Sequence, residues 1–341
     1  MKRVVLALGL LGAAQPALAL KPDVNLSGTF AASLSWYEEH TTTLDTTDVD
    51  LENNGSNFRI GASAEEQGIR AFTVYERGAS NDQLGVEDVR EFFGGVSGRV
   101  GTLVAGRKAT EYRLSGQRLD PFYNTSAASF NGMFSAEGAS FGLSNLTNGY
   151  TSNTVAYGSP SFGGFTVNAG AFVSNNSNNQ GVGDEADFAL GIGYANGELL
   201  GLAAGLQFLD LNSNVVSGAA AGESRALRLH ASVGPKTWTL GLSAEAVDVE
   251  LEEDPRLYGF LSASVQLYET LRLAATAGHV RDTRDAVVTT EGTGGSVGLF
   301  WNLTKNLETY AALRYVTLDN AAEQDSGTLA TGMKFTFDVD L

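Results

Sequence analysis

The chain has 341 residues, no cysteine, three histidines and a formal net charge of −17 at pH 7. The lack of cysteine excludes disulfides and thiolate chemistry, and so few histidines make a soft-metal centre a poor interpretation. The acidity excludes a general nucleic-acid binder, because such proteins need a basic surface.

The first nineteen residues have the features of a secretory signal peptide. Lys2 and Arg3 provide a basic start, residues 4–12 are apolar, and Ala17-Leu18-Ala19 places small residues where a signal peptidase reads the chain. A transmembrane anchor is the weaker interpretation, because the apolar run is shorter than the roughly 20 residues that a spanning helix needs. We predict cleavage after Ala19. This leaves one mature domain at 20–341 and, by removing two basic residues, changes the formal charge from −17 to −19.

Residues 107–150 form the longest interval without strand-like alternation, between alternating stretches at 99–106 and 153–160. A compact domain seldom contains a structureless loop of this length. Disorder is disfavoured because the interval is rich in aromatic residues. These are Tyr112, Phe122, Tyr123, Phe130, Phe134 and Phe141. We therefore predict a folded insertion that packs inside the rest of the protein.

The later part of the chain alternates between apolar and polar residues. The alternation is clear at 227–233, 238–245, 257–267 and 333–341. In the last stretch, Met333, Phe335, Phe337 and Val339 alternate with Lys334, Thr336 and Asp338. Alternate residues of a strand face opposite sides, so each stretch has one apolar and one polar face. Runs of about ten residues suit strands that cross a bilayer at a tilt.

Short and long polar links alternate along the whole chain. The short links lie at 66–68, 97–98, 160–164, 196–197, 234–236, 268–269 and 304–306. The long links lie at 38–55, 78–88, 107–150, 174–187, 210–224, 248–255, 281–295 and 318–327. They connect about sixteen strands, which predicts an all-β fold: a transmembrane, up-and-down, antiparallel β-barrel with both chain ends on the periplasmic, short-turn side. A soluble β-sandwich fits less well, because its strands are usually about five or six residues long.

A barrel of this strand number is too wide for side chains to fill, so it encloses an aqueous lumen lined by the polar faces. The apolar faces then meet lipid or a neighbouring subunit. Strict alternation places Glu91 on the outer face. A subunit contact accommodates a carboxylate there more readily than lipid does.

Several motifs lie between residues 56 and 165, beginning with SNFRIGASAEEQGIRAFTVYERG at 56–78 and VREFFGGVSGRVGTLVAGRKAT at 89–110. These two stretches resemble the second and third strands and the next hairpin of the trimeric general diffusion porins of Gram-negative bacteria. Asp120-Pro121-Phe122 matches a D-P-F in the family's third loop, and residues 153–165 resemble N-S-x-x-Y-x-S-P-x-F-G-G-F. The order and spacing of these motifs carry the resemblance.

The resemblance implies that residues 107–150 are the third extracellular loop, folded into the lumen to form a constriction. In the family, basic residues of the wall face acidic residues of this loop. The matching wall positions are Arg59 and Arg90, whereas Thr29 and Tyr150 stand where the family often has basic residues. The residues that could compensate are Arg107, Lys108, Arg113 and Arg118. Alternation independently places Arg59 on the polar face of its strand.

For the acidic half of the constriction, the candidates are Asp120, Glu137 and, less favoured, Glu111. Asp120 could equally act as a turn residue before Pro121. Opposed charges at a narrow point would sort solutes by charge and size.

The function implied is a homotrimeric channel of the bacterial outer membrane for passive diffusion of small hydrophilic solutes and ions. Its partners would be lipid, lipopolysaccharide and the barrel-insertion machinery, although Leu341 ends the chain where the family usually has an aromatic residue. The acidic charge and the reduced basic wall lead us to expect a modest cation preference.

Two alternatives stay open, a solute-specific channel for sugars or anions and an outer-membrane barrel enzyme. The enzyme is disfavoured because His230, on the polar face beside Arg228 and Ser232, has no evident catalytic partner. No cofactor is predicted. Surface carboxylates at 45–52 and 250–254 could bind calcium, but they lack the ligand spacing of a dedicated loop.

Overall fold

A computed structural model describes residues 22–41, 45–79, 86–129, 141–144, 146, 149–172, 187–197, 201–211, 224–235, 237–249, 255–284, 288–319 and 324–341. The predicted signal peptide and Glu137 lie outside the described residues.

The described residues form seventeen strands and one short helix. The first half contains β1 (Asp23–His40), β2 (Asp45–Asn53), β3 (Asn57–Glu66), β4 (Ile69–Ala79), β5 (Val86–Gly98), β6 (Gly101–Ala109), α1 (Glu111–Gln117), β7 (Tyr150–Gly158) and β8 (Phe165–Phe172). The second half contains β9 (Asp187–Asn196), β10 (Leu202–Leu211), β11 (Ser224–Val233), β12 (Trp238–Val249), β13 (Arg256–Tyr268), β14 (Leu271–Arg284), β15 (Val288–Thr304), β16 (Leu307–Asp319) and β17 (Gln324–Asp340).

The strands close into one antiparallel barrel. From β3 onwards each strand pairs with the next, and β17 pairs with β1 from Asn25↔Asp340 to His40↔Asp325. The lower part of β1 pairs with β3, while its upper part pairs with β2. Since β2 and β3 share one neighbour, they are two pieces of a single wall strand that is interrupted at 54–56. The wall therefore has sixteen strands, which confirms the predicted barrel.

Each of the seven predicted short links lies at or next to the junction of two consecutive strands, although residues 198–200 and 236 are outside the described residues. In the first of them, Gln67 and Gly68 have φ values of 54° and 77°. Positive φ at both central residues suits a two-residue hairpin turn, whose twist matches that of the flanking strands.

The bounds of three predicted long links are wrong, because strands extend into these links from both sides. The β1–β2 ladder reaches His40↔Asp45, the β14–β15 ladder reaches Arg284↔Val288, and the β16–β17 ladder reaches Leu318↔Gln324. Backbone hydrogen bonds do not require an apolar face. Once two strands are in register, their ladder can extend into water with polar side chains on both faces.

The two faces of the wall differ sharply. On β11, Leu227 and Leu229 are 45% and 55% exposed, whereas Arg228 between them is fully buried. Large exposed apolar residues recur at alternate positions of β13 and β17. The apolar face is therefore the exterior, and the polar face lines the inside of the closed barrel. Within the described part of the chain, no helix has the length and apolar character that crossing a bilayer requires.

Candidate functional site

The segment between β6 and β7 begins with α1, which packs on the inner face of the wall. Thr110 caps the helix, because its Oγ1 accepts the N–H of Arg113 at 3.1 Å. Tyr112, Ser115 and Gly116 are buried, and α1 contacts β9, β10 and β11. The helix thus connects the end of β6 to strands that lie three to five places further along the wall.

After α1, Asp120 organises a buried turn. Its Oδ1 accepts the N–H of Phe122 at 2.9 Å, and its Oδ2 accepts the N–H of Ser129 at 2.8 Å. Burial raises the pKa of Asp120, although both backbone hydrogen bonds favour the carboxylate. Phe122 is fully buried, with its ring centroid 5.4 Å from that of Phe300 on β15. This turn fastens the segment to the wall far from α1.

The segment returns along β13 and β14. Phe141 is fully buried, with its ring 6.5 Å from that of Phe260. Gly142 has φ +79°, and a Cβ placed on it would lie 2.4 Å from the carbonyl oxygen of Gly259. Only glycine allows this backbone conformation together with so close an approach to the wall.

Opposite these attachments, a cavity of about 540 Å³ lies between the segment and the wall. We call it the opening. Its charged and aromatic lining residues are Arg59, Glu76, Arg90 and Glu91 from the wall, Arg113 and Tyr123 from the segment, and Tyr150. A second cavity of about 530 Å³ shares Arg59 and Glu76 and extends past Lys305 and Asp338 towards the end of the barrel that carries the chain termini. The two cavities therefore adjoin at Arg59 and Glu76.

Arg59 lies between two carboxylates at the opening. Its Nη1 is 3.2 Å from Glu76 Oε2 and 3.3 Å from Glu91 Oε2. Glu91 Oε1 also accepts the N–H of Ala109, at 3.1 Å, at the point where β6 leads into the segment. One guanidinium therefore links β3, β4 and β5 directly below the start of the segment.

The prediction that Glu91 faces outwards is wrong, and a β-bulge is the reason. Glu76 pairs with Glu91, but the next residue, Arg77, pairs with Val89. Arg90 is therefore an extra residue in β5. A bulge interrupts the strict alternation of a strand, so Arg90 and Glu91 can both face the lumen.

The other two arginines of the opening donate hydrogen bonds to neutral groups. Arg90 Nη1 donates to the carbonyl oxygen of Gly55 at 2.9 Å, which the interruption between β2 and β3 leaves outside the ladder. Arg113 Nη2 donates to Tyr123 Oη at 2.8 Å, and its guanidinium carbon lies 3.6 Å from the ring centroid of Tyr150. Tyr150 stands where the family often has a basic residue, and its ring thus supports a basic residue of the segment.

Arg107 and Glu111 do not line the opening, although the guanidinium carbon of Arg107 lies 5.9 Å from the ring centroid of Tyr150. Arg107 Nε donates to the carbonyl oxygen of Val89 at 2.8 Å, and its Nη1 donates to Ser152 Oγ at 2.6 Å. Glu111 pairs with Arg118 Nη2 at 3.3 Å. This pair lines a separate cavity of about 410 Å³ between α1 and strands β6 to β9.

Of the candidates from sequence, Arg59 and Arg90 are thus brought together at the opening. Glu76 and Glu91 were not among the candidates. Glu76 could have been found, because the short turn at Gln67 and Gly68 places it directly opposite Arg59.

Nothing among the described side chains resembles a catalytic or metal centre. No group of three or more potential His, Asp or Glu ligands occurs there. His230 pairs in register with Ser243. Within the described part of the chain, Nε2 of His230 and the hydroxyl of Ser243 both lack a hydrogen-bond partner.

A closed sheet with an apolar exterior and a polar, cavity-containing interior defines a transmembrane β-barrel channel. A model of the Gram-negative porin family matches residues 4–321, and the chain belongs to that family. It is accordingly a porin of the bacterial outer membrane. No relative with a curated description matches the chain.

Solved porin structures resemble the barrel over most of its length. The anion-selective porin from Comamonas acidovorans has 17% identity and a TM-score of 0.75, over 93% of this chain and 100% of that one. A trimer form of OmpT from Vibrio cholerae has 15% identity and a TM-score of 0.61, over 93% and 99%. OmpF of Salmonella typhi, in complex with daunomycin, has 14% identity and a TM-score of 0.61, over 93% and 98%. At these identities the likeness is one of fold.

Proposed function

We propose that this porin forms a water-filled channel for passive diffusion of small hydrophilic solutes and ions, and that residues 107–150 narrow it. The observation that carries the proposal is the polar cavity between the segment and the wall strands β3 to β5, which adjoins a second polar cavity at Arg59 and Glu76. A closed sixteen-stranded wall leaves the lumen to water, and a segment that crosses it restricts the passage.

At the narrow point, we assign charge selection to Arg59, Arg90 and Arg113 together with Glu76 and Glu91. Arg107 would support the ends of β5 and β7, through Val89 and Ser152. Asp120 would shape the segment through its two backbone hydrogen bonds, and Glu111 would act in the neighbouring cavity. Glu137 keeps its sequence-based assignment as an acidic residue of the segment.

The described side chains at the opening carry three guanidinium groups and two carboxylates. Charges at close quarters dominate selection in a pore, so this excess supports a preference for anions. The Comamonas porin is described as anion-selective. The modest cation preference expected from sequence is the second candidate, favoured by the acidic net charge of the whole chain.

Conductance across planar bilayers tests the proposal. Addition of the purified, folded protein should produce stepwise openings with a steady, linear current in simple salts. In a salt gradient, the sign of the reversal potential separates the anion and cation candidates.

Saturation of the current by one sugar or anion would favour a solute-specific channel. Insertions that remain closed while an ester is hydrolysed would favour the enzyme and contradict the channel.

We also propose that the protein works as a homotrimer in a membrane containing lipopolysaccharide, after folding by the barrel-insertion machinery. The apolar exterior and the trimer form of the OmpT structure support this assembly. Openings in groups of three current levels, and a slow-migrating species on denaturing gels run without heating, are expected. Monomers alone on such gels would contradict the trimer.

A further inference from the structure

The beginning and the end of the segment both contact one carboxylate of the wall, that of Glu245 on β12. The residues that meet there are Tyr112 and Ser144 from the segment and Arg228 and Glu245 from the wall, and we call this set the Glu245 junction. None of the four lines the opening. We propose that the junction fixes the segment on the wall and that Glu245 is a positioning residue for Arg113. The inference rests on the proposed function, because a change in position matters most if the opening conducts.

The wall side of the junction is a fully buried ion pair. Arg228 and Glu245 are in register across β11 and β12, with Nη2 2.9 Å from Oε2. Both side chains have no exposure to solvent. Charges that lose their water are tolerated when other polar groups bond to them, and they are strongly unfavourable when left unpaired.

The segment supplies those bonds. Arg228 Nη1 donates to the carbonyl oxygen of Tyr112 at 2.7 Å and to Ser115 Oγ at 3.3 Å. The guanidinium carbon of Arg228 also lies 4.3 Å from the ring centroid of Tyr112. Glu245 Oε1 accepts hydrogen bonds from Tyr112 Oη and Ser144 Oγ, and Oε2 accepts the N–H of Ser144 at 3.2 Å. The same carboxylate therefore binds the beginning and the end of the segment.

The junction and the opening lie on different faces of one short helix. Tyr112 faces the wall, while its neighbour Arg113 faces the opening and stacks on Tyr150. Gln117, one helical turn later, also lines the opening. Because α1 moves as a unit, the position of Tyr112 determines where Arg113 and Gln117 lie.

Glu308 provides a matched control, since it is a wall glutamate in an ion-pair cluster of its own. It lies 3.4 Å from Arg272 Nη2 and 3.7 Å from Lys334 Nζ. No hydrogen bond joins Glu308 to the described part of the segment. A general effect of removing a wall carboxylate should therefore appear in both E245Q and E308Q, whereas a positioning effect should appear only in E245Q.

The absence of cysteine allows a direct measurement of the segment. Gln117→Cys introduces a single thiol at the opening, and its reaction rate with a methanethiosulfonate reagent can be followed by mass spectrometry in the folded, detergent-solubilised barrel. We expect E245Q to change this rate several-fold, while E308Q leaves it unchanged. Folding is checked by the shift in gel mobility on heating. Y112F keeps the ion pair and removes only the hydrogen bond that the Tyr112 hydroxyl donates to Glu245. It should change the thiol reaction rate in the same direction, and it provides the test if E245Q does not fold.

Bilayer recordings of the same variants complete the test. E245Q should show a noisier open current and an altered reversal potential relative to E308Q. Unchanged thiol reactivity in both E245Q and Y112F would overturn the positioning role. If the unsubstituted barrel carries no current but E245Q changes the thiol rate, the junction stands and the proposed channel function fails.

Discussion

At the scale of single residues, the opening is defined by how each arginine is held. Arg59 lies within 3.3 Å of both Glu76 and Glu91, so two carboxylates share its charge. Arg90 donates to a backbone carbonyl, and Arg113 donates to a phenol. These hydrogen bonds orient the two guanidinium groups. Burial raises the pKa of Tyr123, so the phenol beside Arg113 stays neutral at physiological pH.

Replacement of Arg113 by glutamine should shift selectivity towards cations. A unit charge about 8 Å from a permeating ion contributes about 0.5 kcal/mol in a water-like dielectric, which corresponds to about a twofold change in permeability ratio. The measurement is the reversal potential in a salt gradient. Arg118→Gln is the matched control, because Arg118 is the C-cap residue of the same helix and lines the other cavity. An equal shift in both variants would show that Arg113 has no special role.

Single residues also show which side chains the alternation in the sequence can place and which it cannot. Alternation sufficed to place Arg59 in the lumen, since Phe58 and Ile60 beside it are exposed on the outer face. Glu91 could not be placed in that way, because the bulge at Arg90 shifts the alternation and depends on the pairing of β5 with β4. The contact of Arg113 with Tyr150 joins two distant parts of the chain, and no local pattern predicts it.

At the scale of elements, the segment is attached to the wall at three separated places. These are α1 against β9 to β11 together with the Glu245 junction, the turn at Asp120 with Phe122 against β15, and Phe141–Gly142 against β13 and β14. Its aromatic composition was enough to predict a folded insertion. Its path was not predictable, because each attachment depends on which wall side chains the closed barrel brings opposite it.

Gly142→Ala tests the closest of these attachments. A Cβ at this position would approach the carbonyl oxygen of Gly259 to 2.4 Å, at a backbone φ of +79°. Positive φ alone costs a residue with a side chain about 1–3 kcal/mol, and the clash adds to that cost. We expect a lower free energy of unfolding in urea and a noisier open current.

Comparison with Gly68→Ala separates the stability lost through positive φ at Gly142 from the stability lost through the clash with the wall. Gly68 has a φ of +77°, close to that of Gly142, but no atom lies within 4 Å of the position of its Cβ. It should therefore lose stability through backbone strain alone and leave the current unchanged. Equal losses in the two variants would mean that the segment shifts freely away from β13.

At the scale of the whole molecule, the alternation of link lengths predicted the barrel because each short link joins two strands by a tight turn on the same side. The predicted number of sixteen wall strands is correct despite local errors. Strands extend into three of the predicted polar links, and β2 with β3 forms one interrupted wall strand. Polar composition failed at the rim because strands there are solvated on both faces. The interruption at 54–56 depends on Ala31, whose backbone N–H and carbonyl bond to Ser56 Oγ and the N–H of Asn54.

The net charge of the whole chain is negative, whereas the described charges at its opening sum to a positive value. Salt should screen the first more strongly than the second. The formal charge is −17, whereas the described residues of the opening carry one more positive than negative group. Exposed charges far from the ion path are screened over about 10 Å at 0.1 M salt and about 3 Å at 1 M. Charges that line the opening stay within contact distance of the ion. We therefore expect the anion-to-cation permeability ratio, measured from reversal potentials at a fixed concentration ratio, to rise as the absolute salt concentration increases. In Arg113→Gln the same rise should be smaller, because less positive charge remains at the narrow point. A ratio that falls with salt in the unsubstituted protein would contradict the assignment of anion preference to Arg59, Arg90 and Arg113.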